Sequence, residues 1–117
     1  MKVVINSCFG GFGLSDAAFE QLLNRKGVAW EKVKDKYDLD LYYKAGHVGD
    51  DEHYLSYQQF TENRADPDLV AVVERFGKNV NTPYSELKIV DVPDDVEWTL
   101  QQYDGLEHIA EVHRTWS

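Results

Sequence analysis

The chain has 117 residues, of which 43% are hydrophobic and 28% are charged, as is usual for one globular domain. We therefore expect a single domain over residues 1–117. Twelve Lys and Arg against 21 Asp and Glu give a net charge of −9, which opposes contact with phosphate backbones and with anionic lipids. The composition thus argues against direct nucleic-acid binding and against a membrane role.

The cysteine content and the N-terminus bear on the compartment. Cys8 is the one cysteine, so the chain forms no internal disulfide. The apolar run at residues 2–6 is short and soon followed by polar residues, unlike the apolar core of a signal peptide. We expect a cytoplasmic protein.

The first thirty residues predict a strand and a helix. Residues 2–6 are rich in β-branched side chains and end before a glycine cluster, which is typical of a buried strand. Ser15 is a suitable N-cap, and apolar residues then recur at helical spacing until Gly27. We expect the first helix over residues 16–26.

The middle of the chain predicts short strands followed by a second helix. Tyrosines and leucines alternate in pieces before residue 44, which indicates one or two short strands and then a mobile acidic loop around residues 44–53. Asp66 as a cap, Pro67 in the first turn and Gly77 as a stop predict a helix over residues 67–76.

The last third predicts a β-hairpin and a final helix. Residues 87–92 and 96–101 alternate on either side of the turn residues 93–95. One face of a last short helix would carry Leu106, Ile109, Ala110 and His113. The expected fold is α+β, a single small domain in which two to three helices pack on a mixed or antiparallel sheet with a C-terminal hairpin.

A glycine-rich turn joins the first strand to the first helix. Gly10, Gly11 and Gly13 precede the capped helix, and backbone amides beside a helix N-terminus suit an anion. The Lys and Ser/Thr of a P-loop and the spacing of a dinucleotide fingerprint are absent from this stretch of sequence. We expect some of these amides to lack backbone partners. The alternative is architectural, with Phe9 and Phe12 plugging the core above a sharp turn.

Two further features, Cys8 and the stretch from His47 to His53, each have a functional and a purely structural interpretation. Cys8 near a helix N-terminus suits a reactive thiolate, but a buried inert cysteine is favoured because no motif ties a histidine to it. His47 and His53 flank three carboxylates, enough donors for a divalent metal, but the spacing matches no familiar zinc or calcium loop and a solvated acidic loop is favoured. We expect no metal and no cofactor.

The four arginines divide into two pairs. Arg25 and Arg75 fall in the last turns of predicted helices, where the helix dipole explains them. Arg64 precedes a helix cap, and Arg114 lies beside Trp116, an aromatic suited to stacking. We expect Arg64, Arg114 and Trp116 to contact a ligand. The alternative is a salt bridge to a nearby carboxylate together with a tryptophan docked on the core.

Several blocks together resemble a widespread family of small phage and prophage proteins. They are KVVIN at 2–6, CFGGFGLS at 8–15, RADPDLV at 64–70, LKIVDVPDD at 87–95, YDGLE at 103–107 and HRTW at 113–116. Most members of that family have no assigned function, so this resemblance implies a phage origin and no particular reaction.

The chain is also similar, more distantly, to the Thoeris anti-defence sponges. Those phage proteins sequester cyclic ADP-ribose-type immune signals in pockets lined by arginine, aromatic and amide side chains. The similarity implies ligand contacts from Arg64, Tyr84 and Arg114, whereas Asp94 and Asp95 stand where an amide is expected.

These observations predict a non-enzymatic phage accessory protein in the host bacterial cytosol. It would bind a small nucleotide-derived signal, such as a cyclic ADP-ribose isomer, through Arg64, Tyr84, Arg114, Trp116, Gly10, Gly11 and Gly13. The alternative is an inhibitor that directs its acidic faces, in the manner of a nucleic-acid mimic, at a basic site of a host defence complex. We also expect at least a dimer, because ten Tyr and Trp residues are many for a small core.

Overall fold

The protein is described by a computed structural model that covers residues 1–111. Within these residues it has two α-helices and seven strands. The helices are α1 (Asp16–Arg25) and α2 (Pro67–Phe76), and the strands are β1 (Lys2–Asn6), β2 (Trp30–Lys34), β3 (Asp40–Lys44), β4 (Tyr54–Leu55), β5 (Leu87–Asp91), β6 (Trp98–Tyr103) and β7 (Leu106–Glu111). This confirms the α+β class. No helix within residues 1–111 is long and apolar enough to cross a membrane.

Both helices begin and end where their capping residues predict. The Ser15 side chain accepts a hydrogen bond from the amide of Ala18, and the Asp66 side chain accepts one from the amide of Asp68. Each bond satisfies an amide that the first helical turn leaves without a partner. Pro67 occupies the first turn of α2, and Gly77 ends it with a positive φ of 53°.

The main core lies between the helices and the strand pair β1 and β5. Leu22 and Leu23 of α1 and Leu69 of α2 are fully buried there, together with Val4 of β1. Each of these leucines contributes about 1.5–3 kcal/mol by leaving water. The two helices are also joined by ion pairs, since Lys26 contacts Asp66 and Asp68.

A three-stranded sheet of β2, β3 and β4 covers the outer face of α1. All of its strand pairs are antiparallel. Tyr42 of β3 is buried and meets the ring of Phe19 edge to face, with 5.1 Å between ring centroids. The turn between β2 and β3 is held by the Asp35 side chain, which accepts hydrogen bonds from two backbone amides.

The expected hairpin at residues 87–101 is wrong in its pairing. β5 pairs with β1 in antiparallel register, from Lys2 opposite Asp91 to Asn6 opposite Leu87. The amide of Val92 extends this pairing by donating to the Met1 carbonyl at 2.7 Å. The turn residues 93–95 therefore connect two different sheets.

The C-terminal hairpin consists instead of β6 and β7. Its register runs from Trp98 opposite Glu111 to Tyr103 opposite Leu106, so the final helix expected from residue 106 onward is also wrong. Asp104 and Gly105 form the turn with φ values of 48° and 87°. Two positive φ values in succession are the signature of a tight turn that matches the twist of a hairpin.

A second, smaller core docks this hairpin onto the body of the protein. Val3, Ile5 and Val92 are buried on the face of β1 and β5 that points away from the helices. Apolar side chains of the hairpin pack against them, namely Trp98, Leu100 and Ile109. The sheet of β1 and β5 is therefore covered on both faces, by helices on one and by the hairpin on the other.

Candidate functional site

The site begins at Asn6, the last residue of β1, whose side chain is fully buried and fully hydrogen-bonded. Its Nδ2 donates to the carbonyls of Cys8 and Gly105 at 2.8 and 2.7 Å. Its Oδ1 accepts from the amide of Glu86 at 2.9 Å. Because a buried amide without partners is costly, this arrangement fixes three chain segments around one side chain. They are the start of β5, the turn of the hairpin and residues 8–14, which we call the glycine segment.

Two glycines in this region permit close backbone approach. A Cβ on Gly10 would lie 1.8 Å from the carbonyl oxygen of Tyr84, and a Cβ on Gly105 would lie 2.3 Å from the amide nitrogen of Gly11. No side chain fits at either distance. Gly13 is less constrained, since its Cβ would meet the Thr82 side chain at 3.3 Å. The glycine segment is thus clamped between residues 82–85 and the hairpin turn.

The backbone of the glycine segment is only partly satisfied. The carbonyl of Phe12 accepts from the Tyr57 hydroxyl at 3.2 Å, and that of Gly13 accepts from the Ser85 hydroxyl at 3.1 Å. Among residues 1–111, no oxygen accepts from the amides of Gly10, Gly11 or Gly13. These amides have the donor capacity that the sequence predicts.

The phenylalanines of the glycine segment do not form the core plug considered as its architectural explanation. Phe9 is 64% exposed. Phe12 is half-buried and packs on the edge of the main core beside Tyr57. Only Phe12 therefore serves the packing role, and Phe9 presents its ring to solvent.

Arg64 lies against Phe12 and is held by three hydrogen bonds. Its guanidinium stacks over the Phe12 ring at 3.8 Å from the centroid. Nε donates to the carbonyl of Thr61 at 2.9 Å, and Nη1 and Nη2 donate to the two carboxylate oxygens of Glu107 on β7, the second at 3.0 Å. The Glu107 side chain is 3% exposed and also accepts from the amide of Asn6. Arg64 thus joins the hairpin to the body of the protein, as the salt-bridge alternative predicts.

A cleft of about 330 Å³ opens beside this stack, and we call it the Phe12 cleft. Two aromatic rings, two amide side chains, a hydroxyl and a carboxylate line it, from Phe12, Tyr57, Gln58, Gln102, Thr61 and Glu62. Its volume is at the lower end of the range for small-molecule sites. Gln58 and Gln102 were not expected in a site, because the short 3₁₀ turn at Tyr57–Phe60 and the hairpin that bring them together were not predicted.

Exposed aromatic side chains flank the glycine segment. Tyr84 is 74% exposed and Tyr103 is 70% exposed. Tyr84 contacts Gly10 through its backbone, and Tyr103 directly precedes the hairpin turn that packs on Gly11. Neither tyrosine lines the Phe12 cleft, so the structure places Arg64 and Tyr84 at different parts of the site. The sequence did not predict Tyr103 or Phe9 as exposed residues beside the site.

Among the remaining residues considered for the site, the structure describes Arg25 and Cys8. Arg25 Nε lies 3.3 Å from the Asp68 carboxylate, consistent with a structural role. Cys8 is half-buried rather than buried as expected, and its thiol donates to the carbonyl of Tyr84 at 3.1 Å, which indicates a structural thiol. Arg114 and Trp116 lie outside the described residues, so their expected ligand contacts stay predictions.

A second, smaller cavity of about 150 Å³ lies between α1 and β3. Asp16 and Asp40 both line it, and burial together with the neighbouring Asp40 carboxyl raises the pKa of Asp16. Lys34, at 3.0 Å, holds the pKa of Asp40 below its usual value. Burial raises the pKa of the Tyr42 hydroxyl, which donates to Glu20 at 2.7 Å. The two carboxyl groups thus titrate apart from each other.

Comparison with known proteins leaves the site to be interpreted from its own geometry. No family model matches the sequence. No curated protein and no solved structure gives a significant match either. The resemblance to the phage family and to the sponges therefore stays a prediction.

Proposed function

We propose that the protein binds a small nucleotide-derived molecule in the Phe12 cleft and sequesters it without chemical change. The observation that carries this proposal is the lining of the cleft, where aromatic and amide side chains converge beside an arginine. Aromatic rings stack on a nucleobase, and amide groups form hydrogen bonds with its polar edge. The same residue types are those that the resemblance to the sponges implies.

Each part of the site has a task in this proposal. Phe12 offers a ring for stacking, and Gln58 and Gln102 read the edge of the base. A guanidinium has five N–H donors. Arg64 uses three of them within the fold, so two remain to meet a phosphate or ribose oxygen. Gly10 is exposed but does not line the cleft, so its amide would serve a part of the ligand that extends beyond the cleft.

The proposal is for binding rather than catalysis because of what the cleft contains. Glu62 is the one carboxylate among the lining residues that the structure describes, and these include no histidine, cysteine or lysine. A general acid and base, or a nucleophile with its base, requires two such groups within hydrogen-bond reach. For a phage protein in a bacterial cytosol, such binding would withdraw an immune signal from its receptor.

Calorimetric titration with cyclic ADP-ribose isomers and cyclic dinucleotides tests this function. Gln102→Ala and Gln58→Ala should each weaken binding about fivefold, since one neutral hydrogen bond contributes about 1 kcal/mol. Gln101→Ala is the matched control, because Gln101 is the preceding residue of β6 and bonds to His108 outside the cleft. Ligand recovered intact after heat denaturation supports sequestration.

Three results would count against the proposal. Absence of binding by the wild-type protein at micromolar concentration removes the proposed ligand class. Equal weakening by the Gln101 and Gln102 variants removes the cleft as the site. Recovery of a converted product shows an enzyme instead.

Arg114 is tested in the same assay. We expect Arg114→Ala to weaken binding about tenfold to a hundredfold, the range for a charge-assisted hydrogen bond of about 1.5–3 kcal/mol. Arg75→Ala is its control, since Arg75 lies in the last turn of α2. Unchanged affinity in the Arg114 variant would exclude it from the site.

An acidic inhibitor of a protein partner is the second candidate, and one surface favours it. The side chains of Asp91, at the end of β5, and of Asp94 are 85% and 87% exposed and lie 3.5 and 2.8 Å from the Met1 ammonium. Asp95 and Glu97 follow them in the sequence. Four acids within seven residues produce a local negative field that attracts basic surfaces. Reversal of Asp95 and Glu97 to lysine should abolish inhibition in this case and leave nucleotide binding unchanged.

A further inference from the structure

The loop between β3 and β4 has a regular backbone that the sequence did not predict. Three hydrogen bonds follow one another at a spacing of three residues. The amide of His47 donates to Lys44, that of Asp50 to His47 and that of His53 to Asp50, at 3.0, 3.1 and 2.8 Å. Gly46 and Gly49 have φ values of 83° and 86°, which these successive turns require. Residues 47, 50 and 53 are consequently brought together.

The side chains of these three residues meet. The rings of His47 and His53 stack with 3.8 Å between their centroids and 12° between their planes. His53 Nδ1 lies 2.9 Å from Asp50 Oδ2. One ligand atom from each of the three side chains lies within 4.8 Å of the others. Nitrogen and oxygen donors thus converge on one small volume at the protein surface.

These distances are close to those of a metal centre. Two ligands bonded to a tetrahedral zinc ion at about 2.1 Å are about 3.4 Å apart. The two stacked rings are nearly parallel, so their in-plane lone pairs do not meet at one point, and metal binding requires one imidazole to rotate out of the stack. The exposed position of His47 leaves room for that rotation. Asp50 is already oriented, since its Oδ1 accepts from the amide of Glu52 at 3.0 Å.

We propose that His47, Asp50 and His53 bind a divalent transition-metal ion of the zinc class, with water completing the coordination. Two imidazole nitrogens favour Zn²⁺, Co²⁺ or Ni²⁺ over Ca²⁺ and Mg²⁺, which prefer oxygen donors. The neighbouring acids Asp51 and Glu52 are exposed and attract a cation to the loop. This inference replaces the solvated loop without metal that the sequence favoured, and it is independent of the Phe12 cleft.

The bound ion would cross-link the turns of the loop between β3 and β4. The three ligands come from one stretch of seven residues, so coordination ties successive turns of the loop together and restricts their motion. The loop follows β3 directly and ends at β4, so the ion would also stabilise the edge of that sheet. Metal binding that favours the folded state raises the thermal midpoint by mass action.

Titration of the metal-free protein with Zn²⁺, and separately with Co²⁺ under visible spectroscopy, tests the site. We expect one ion per chain, and visible bands of Co²⁺ bound to nitrogen. His47→Asn and His53→Asn should each weaken Zn²⁺ binding at least tenfold, because loss of even an outer-shell partner costs tenfold or more. Excess Mg²⁺ should not displace the Co²⁺ bands.

The chain has four histidines, so the other two provide matched controls. His108→Asn alters an exposed histidine on β7, and His113→Asn alters the last one; both variants should bind as the wild-type protein does. The fold of each variant is checked by circular dichroism. Binding weaker than millimolar in the wild-type protein, or binding unchanged in a His47→Asn/His53→Asn double variant, would overturn the proposal.

Discussion

Replacement of Arg64 by alanine should destabilise the protein far more than loss of a surface ion pair. The Arg64 and Glu107 side chains are 14% and 3% exposed, and they meet through both carboxylate oxygens. Removal of the guanidinium leaves the Glu107 charge buried, with the Asn6 amide as a remaining donor. Breaking a buried pair from one side in this way costs about 3–5 kcal/mol.

Urea denaturation gives this loss directly, and thermal unfolding gives it as a shift of the midpoint. For a domain of this size a loss of 1 kcal/mol lowers the midpoint by about 4 °C, so Arg64→Ala should melt about 12–20 °C lower. Lys2→Ala is the control, because Lys2 pairs with Glu74 at side-chain exposures of 55% and 47%. An exposed pair of this kind contributes under about 1 kcal/mol.

A double variant separates the ion pair from other effects of truncation. In Arg64→Met/Glu107→Gln no charge is left buried, and the glutamine oxygen still accepts from the Asn6 amide. This variant should therefore be more stable than Arg64→Ala. The reasoning is refuted if Arg64→Ala costs no more than Lys2→Ala, or if the double variant is the less stable of the two.

Three more predictions concern the glycine segment, the carboxyl pair and assembly. In urea denaturation, Gly10→Ala should destabilise the protein more than Gly11→Ala does. The Cβ added at Gly10 would lie 1.8 Å from a backbone oxygen, whereas the Cβ added at Gly11 contacts nothing and carries only the backbone strain of a φ of 94°, about 1–2 kcal/mol. Equal losses of stability would contradict this. As pH rises above about 3.8, the unfolding free energy of Asp16→Asn should increase relative to that of the wild type, because the raised pKa of Asp16 stabilises the fold only while that group is protonated. Asp40→Asn should fall behind the wild type as pH rises to about 3.8 from below, because Lys34 stabilises the ionised form of Asp40 and this stabilisation is lost as pH falls through the lowered pKa. Trends of the same sign in the two variants would refute the assignment. Light scattering should report at least a dimer, and a mass of 13.5 kDa would exclude one.

The parts of the fold that the sequence predicts are those specified by neighbouring residues. β1 and α2 have the predicted bounds, and α1 ends one residue earlier than expected. Each helix has its own cap and stop within its own segment, so no distant partner is needed to define it. The pairing of β5 with β1 joins residues more than eighty positions apart, and alternation in β5 alone says nothing about which strand it meets.

The hairpin of β6 and β7 shows how two local signals compete. Leu106, Ile109 and Ala110 fit helical spacing, but the preceding Asp104 and Gly105 are the stronger signal, because an Asp-Gly pair favours the two positive φ values of a tight hairpin turn. A few apolar residues fit the spacing of a helix or of a strand, whereas an Asp-Gly turn fits only a hairpin. The helix was wrongly expected because the apolar spacing was given more weight than the turn residues.

The wrong prediction of a helix from residue 106 onward also explains why the sequence predicted only part of the role of Arg64. With residues 106 onward expected on a helix, Glu107 had no predicted place beside residue 64, although the two types suit a bidentate pair. That pair uses two of the five N–H donors of the guanidinium, and the Glu107 charge lowers the net positive charge available beside the Phe12 cleft. In the proposed function, recognition there would therefore depend on stacking against Phe12, on the amides of Gln58 and Gln102 and on neutral backbone donors. A site of this kind would select the proposed ligand by the shape and edge of its base more than by the number of its phosphates.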